Sequence, residues 1–237
     1  MMVCAQQGRR LPARVAVLLL LPVLLLGGNG RMMAHAEVND SDPVRIACVG
    51  DSITYGMRIE DRERHSYPAV LERLAGDGVN VLNAGVSGTT LLRNGNYPYW
   101  TTAAFRDATA FEPDVVIIKL GTNDTKLRNW QHRDEFAGDL RAMIEHFADL
   151  PSEPRIWVCL PVPMYGALRS LNDRTLRREL IPVIREVASE QEVPVIDLYS
   201  ALDDAPEYFP DGVHPNADGA RRIAETVWEA VRDEIRP

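Results

Sequence analysis

Four short stretches of this chain carry side chains that could do chemistry together. Ser52 lies in Gly50-Asp51-Ser52-Ile53-Thr54-Tyr55-Gly56, directly after the apolar run Val44 to Val49. A serine that ends a buried strand between glycines stands on a tight turn, with its hydroxyl at the carboxyl edge of a sheet, and is a candidate nucleophile. The plainer reading is that Asp51 and Ser52 cap a helix or turn. Far along the chain, Asp211-Gly212-Val213-His214-Pro215 carries an Asp-x-x-His spacing. A tight turn there returns the carboxylate to one imidazole nitrogen and leaves the other facing outward, the orienting pair that an activated serine needs. Two further polar turns lie between, Asn83-Ala84-Gly85-Val86-Ser87-Gly88 and Gly121-Thr122-Asn123-Asp124.

The elements that must position these residues follow from the hydrophobic pattern. Short β-branched runs alternate with helical periodicities, which predicts an α/β fold with a parallel sheet and helices on both faces. The expected strands are Val44 to Val49, Val79 to Leu82, Val115 to Leu120, Ile156 to Leu160 and Val195 to Leu198, the last at an edge because Pro194 cannot donate to a ladder. Helices are expected from Tyr67 to Ala75, with Ser66 as its cap, from about Thr101 to Thr109, and from Asp134 to Ala148. Leu176, Leu180, Ile184 and Val187 predict another helix that Pro182 must kink or divide, and Ile223, Val227, Val231 and Ile235 mark one at the C-terminal end. The turns holding Ser52, Gly88 and Asn123 each follow one of the first three strands. In a parallel sheet they share one edge, and the Asp211-His214 turn after the fifth strand can reach it.

Taken together, these blocks resemble the SGNH family of serine hydrolases, also called GDSL esterases, over essentially the whole chain after its opening segment. The resemblance implies a single-domain three-layer αβα sandwich with a flavodoxin-like, five-stranded parallel sheet. It implies Ser52 as nucleophile, His214 as base and Asp211 as its orienting carboxylate. It also implies an oxyanion hole formed by the backbone N–H of Ser52, that of Gly88 and the side-chain amide of Asn123. No metal or organic cofactor is required by such a mechanism. The stretch from Leu120 to Trp130 resembles secreted members that remove acetyl groups from carbohydrates, including sialate and xylan O-acetylesterases. Tyr97, Trp100 and Trp130 follow the Gly88 and Asn123 turns, and as amphipathic aromatics at a cleft rim they are possible substrate-binding groups. The expected function is hydrolysis of carboxylic esters through an acyl-enzyme, with carbohydrate O-acetyl groups as substrate. A lysophospholipase or thioesterase of the same fold, and a catalytically silent carbohydrate-binding protein, are the alternatives.

Other features are set aside on physical grounds. Gly85-Val86-Ser87-Gly88-Thr89 departs from the Gly-x-Ser-x-Gly elbow at its fifth residue. Asp51 and Asp124 read as turn and hydrogen-bonding residues. His65, His132 and His146 lie among charged residues and are expected in solvent. Asp211 and His214 alone are too few ligands for a metal site, and Cys48 and Cys159, each inside an expected strand, read as inert apolar residues.

Residues 1–36 combine Arg9, Arg10 and Arg14, an apolar stretch from Val15 to Leu26, and Ala34-His35-Ala36, the three parts of a secretory signal peptide. Export is therefore expected, to a periplasm or beyond the cell, with residues 37–237 as one hydrolase domain. The whole chain has a formal charge of −8, and since the opening segment holds four arginines and no acid, the remainder carries −12. So acidic a domain argues against nucleic acid and stable membrane partners, leaving a small-molecule or carbohydrate ester.

Overall fold

Val44–Gly50 form β1, and its last five residues have almost no exposed surface. In a computed structural model, which describes residues 42–166 and 171–235, four more strands pair around it: β2 (Val79–Gly85), β3 (Val115–Lys119), β4 (Arg155–Leu160) and β5 (Val195–Asp197). All pairings are parallel and the order is β2-β1-β3-β4-β5. The order reverses between β1 and β3, and open α/β sheets hold ligands in the crevice at the carboxyl ends of such a pair. The signal-peptide reading of residues 1–36 lies outside the described residues. Among the described residues no helix is long and apolar enough to cross a membrane.

Alternation along each strand divides the core into two layers. Ala47, Val49, Val116, Ile118, Val158 and Leu160 pack on one side with the helices Ala103–Ala110, Arg133–Ala148 and Ile181–Glu190. Ile46, Cys48, Ile117, Trp157 and Cys159 face the other side, under the helices Tyr67–Ala75 and Ala217–Ile235. Strands buried on both faces read as unbroken apolar runs, and this explains why the sequence announces them so clearly. The result is the expected three-layer αβα sandwich with a flavodoxin-like sheet.

The differences from expectation are local. β2 runs on through Asn83, Ala84 and Gly85, because pairing with Cys48, Val49 and Gly50 uses the backbone and needs no apolar side chain. At Gly85 a Cβ would lie 2.2 Å from the Tyr55 backbone nitrogen, so only glycine lets the turn after β1 pack there. The first loop helix starts at Ala103, where the Thr102 hydroxyl accepts from the Phe105 N–H. Pro182 acts on the turn before it: Leu176–Leu180 is a π-turn, in which the Ile181 N–H donates to the Leu176 carbonyl five residues back. A proline ring crowds the carbonyl four residues earlier, and widening the turn gives it room. β5 is an edge strand, and Pro194 contributes its carbonyl to the Val158 N–H at 3.1 Å.

Polar contacts beneath the carboxyl edge bind the turns to one another. Lys119, the last residue of β3, and Asp51 have no exposed surface. The Lys119 ammonium donates to both Asp51 oxygens, at 3.1 and 3.2 Å, and to the Thr122 hydroxyl at 3.3 Å. Asp51 also caps the single-turn helix Ser52–Tyr55, accepting from the Ile53 N–H at 2.9 Å. Asp124 accepts from the Leu91 and Leu92 N–H groups at 3.1 and 2.8 Å, joining the segment after β2 to the turn after β3. Both aspartates are the turn and hydrogen-bonding residues that the sequence suggests.

Removing one partner of a buried ion pair strands the other charge, so Lys119→Met should cost about 3–5 kcal/mol. Adding Asp51→Asn should recover a large part of it, as read from chemical denaturation midpoints. Burial outweighs the two N–H bonds on Asp124 and pushes its carboxyl up to about 7. The folded state therefore holds this proton more tightly than the unfolded chain does. Its contribution is full below about pH 4 and is lost as pH rises through about 7. Denaturation across that window should show a steeper pH dependence for wild type than for Asp124→Asn.

Candidate active site

Ser52 opens the one-turn helix Ser52–Tyr55, which Gly56 ends in a left-handed conformation (φ 86°). As a first-turn residue its own N–H has no acceptor within the helix. The hydroxyl lies 2.9 Å from His214 Nε2, and His214 Nδ1 lies 2.8 Å from Asp211 Oδ2. A carboxylate only accepts, so Nδ1 carries the proton, Nε2 is the acceptor, and the Ser52 hydroxyl donates to it. The Asp-x-x-His turn closes as its spacing suggests: Asp211 Oδ1 accepts from the Val213 and His214 N–H groups at 3.0 and 2.7 Å. Burial works against the Asp211 charge, but the bonds from the His214 backbone, the His214 ring and the Val213 backbone prevail and hold its carboxyl below the usual range. Gly212 (φ 79°) packs against the loop after β4, with the Tyr165 N–H donating to its carbonyl at 2.7 Å. A Cβ at Gly212 would stand 1.9 Å from the Tyr165 carbonyl oxygen.

Gly88 and Asn123 complete the wall opposite. Gly88 holds φ 88°, a region that costs glycine little. Asn123 is buried, and its amide orientation follows from its neighbours: Nδ2 donates to the Thr89 carbonyl at 3.0 Å and Oδ1 accepts from Lys126 Nζ at 2.7 Å. Ser52, Gly88, Asn123, Asp211 and His214 all line one cleft of about 330 Å³. Such a constellation can remove a proton from a hydroxyl as it attacks a carbonyl carbon, and offers N–H groups where negative charge then develops.

The aromatics expected at the cleft rim, Tyr97, Trp100 and Trp130, are not among the residues that line it. Trp130 is buried against Phe136, with its indole N–H on Glu179 Oε2 at 2.7 Å. Trp100 donates to the Leu91 carbonyl at 2.8 Å, and its ring lies beside Phe105 and under the Arg93 guanidinium. The polar ends of both indoles are used internally, so these rings brace the loops. His146 also departs from expectation: it stacks on Phe105, meets the Thr109 hydroxyl at 2.9 Å, and burial pushes its imidazole down. His65 is exposed, and His132 pairs with Glu135 at 3.4 Å.

Two cationic residues of the cleft are absent from the motif-based reading. Arg58 places its Nε 2.9 Å from Asp211 Oδ2, on the same oxygen as His214, and does so from a left-handed backbone (φ 68°). Lys126 lines the cleft beside Asn123. Nothing in the local pattern marks Arg58, whereas Lys126 stands three residues after Asn123, within reach of it around a single turn. Among the described residues there is no group of three or more His, Cys, Asp or Glu placed to hold a metal ion.

Comparison with known proteins shows the family of this chain. Residues 48–222 match the model of the GDSL-like lipase/acylhydrolase family. An acetylxylan esterase from Xylanibacter ruminicola is 38% identical over 88% of this chain and 47% of its own length, so the chain spans about half of that relative. A carbohydrate acetylesterase from Sinorhizobium meliloti superposes with a TM-score of 0.66 at 21% identity, over 81% of this chain and all (100%) of its own, a likeness of fold. A lipase/acylhydrolase from Enterococcus faecalis gives 0.66 at 25% identity, over 82% of this chain and 98% of its own. With the family model covering most of the domain, the chain belongs to the GDSL-like lipase/acylhydrolase family.

Proposed function

We propose that this chain is a serine esterase that removes O-acetyl groups from carbohydrate through an acyl-enzyme. The observation that carries this reading is the unbroken line from Asp211 through His214 to the Ser52 hydroxyl, at 2.8 and 2.9 Å, opening into a cleft beside Gly88 and Asn123. His214 takes the Ser52 proton as the oxygen attacks the ester carbonyl, and Asp211 stabilises the imidazolium that forms. The oxyanion is received by the N–H groups of Ser52 and Gly88 and the amide of Asn123. His214 then passes the proton to the leaving alcohol, and water, activated by the same base, releases the acid. The acetylxylan esterase relative supports acetyl on a sugar as the ester. The basic and apolar opening of the chain supports export, with residues 37–237 as the working domain.

A longer acyl chain is the second reading, favoured by the apolar side chains of Met57, Leu171 and Val213 in the cleft lining. Hydrolysis of p-nitrophenyl esters from acetate to palmitate, beside acetate release from acetylated xylan, separates the two. Acetyl esters should dominate, and Ser52→Ala should abolish turnover of all of them; preference for long chains would keep the mechanism and overturn the substrate. Asn123→Ala should lower kcat by about a hundred- to a thousandfold with little change in KM, because its amide acts on charge present only in the transition state. An unchanged kcat in that variant would remove Asn123 from the oxyanion hole.

A further inference from the structure

An asparagine makes an imperfect oxyanion donor for two reasons. Its oxygen and nitrogen ends have nearly the same shape, so a rotation by half a turn would present a carbonyl oxygen to the developing negative charge. It is also neutral, and a neutral donor is weaker than one strengthened by charge. In this chain both points are met by contacts to Asn123. With Nδ2 on the Thr89 carbonyl at 3.0 Å and Oδ1 on the Lys126 ammonium at 2.7 Å, the reversed amide would set oxygen against oxygen and N–H against ammonium. The Asn123 carbonyl is itself held by Asn129 Nδ2 at 2.8 Å, so the backbone beneath the amide is fixed too. Lys126 ends the short turn Asn123–Thr125 in an extended conformation (ψ 133°), three residues beyond the amide it contacts.

We propose that Lys126 is a positioning residue for the oxyanion hole: its ammonium locks the Asn123 amide in the donating orientation and polarises it toward the oxyanion. A cation on Oδ1 draws electron density from the amide and makes the opposite N–H a stronger donor, as linked hydrogen bonds polarise one another. The same charge lies on the side of the cleft where the tetrahedral intermediate becomes negative, within a chain whose formal charge is −8. Lys126 acts through Asn123 and requires no contact of its own with the ester. This inference rests on the esterase reading.

The test is a double-mutant cycle on p-nitrophenyl acetate hydrolysis with wild type, Lys126→Met, Asn123→Ala and the double variant. Lys126→Met should lower kcat by about tenfold, leave KM within about twofold, and add nothing in the Asn123→Ala background, because the group it acts through is gone. A Lys126→Met penalty that persists in that background, or that falls on KM, would mean that Lys126 touches substrate directly and would overturn the proposal. The side-chain amide resonances of Asn123, followed by 15N NMR without substrate, give a readout independent of turnover. They should shift between wild type and Lys126→Met, and unmoved resonances would also overturn the proposal. A wild type that shifts in this way yet hydrolyses no ester would instead overturn the esterase reading.

Discussion

A lysine with no exposed surface must be held by its neighbours, since taking an ammonium out of water costs several kcal/mol. Lys119 meets this condition with three bonds, two to Asp51 and one to Thr122. Those partners are the residues immediately before Ser52 and Asn123, on the turns that follow the adjacent strands β1 and β3. The pair therefore fixes the distance between the serine and the amide from beneath. A hydrophobic residue at position 119 could fill the volume but could not specify which oxygen meets which turn. Asp124 makes the equivalent connection sideways, to the chain just beyond Gly88. Three separate loops thus behave as one rigid edge, the preorganisation that electrostatic stabilisation of a transition state requires.

Asp211 shows how completely a carboxylate can be used. Its four bonds, from the Val213 and His214 backbones, the imidazole and the Arg58 guanidinium, match the roughly four lone-pair directions available to it. The imidazole therefore meets a carboxylate that has no freedom to turn away. Arg58 is mostly in water, so its Coulombic contribution is modest. Its bond to Asp211 ties the chain after the Ser52 helix to the histidine loop.

Much of this is legible in the sequence because the parts with chemistry follow apolar strands directly, and a parallel sheet forces such turns onto one edge. Ser52, Asp211 and His214 could be assembled by that logic. Gly88 and Asn123 needed the family resemblance, because nothing in an isolated glycine or asparagine declares an anion site. Lys119 is, in the sequence, a lone charge in the apolar run Val115 to Leu120; its meaning depends on Asp51, 68 positions away and adjacent only across β1 and β3. Trp100 and Trp130 escape that logic for a related reason. An amphipathic ring announces a polar tip and an apolar body but not the direction in which it points, and Trp100 and Trp130 point inward to partners that spacing does not reveal.

The π-turn at Leu176–Leu180 reaches further than the helix that contains it. Glu179 lies within this turn and accepts the indole N–H of Trp130, whose helix, Leu127–Trp130, follows directly on the Asn123 turn. A π-turn amounts to one residue inserted into a regular helix, and each residue of an α-helix advances the face by about 100°. Deleting a single residue here would restore a regular helix while turning its preceding segment by that angle, moving Glu179 off the tryptophan. In evolutionary terms the wide turn is a fixed reading frame: substitutions can accumulate along this helix, but length changes on the N-terminal side of Pro182 are coupled to the wall of the cleft.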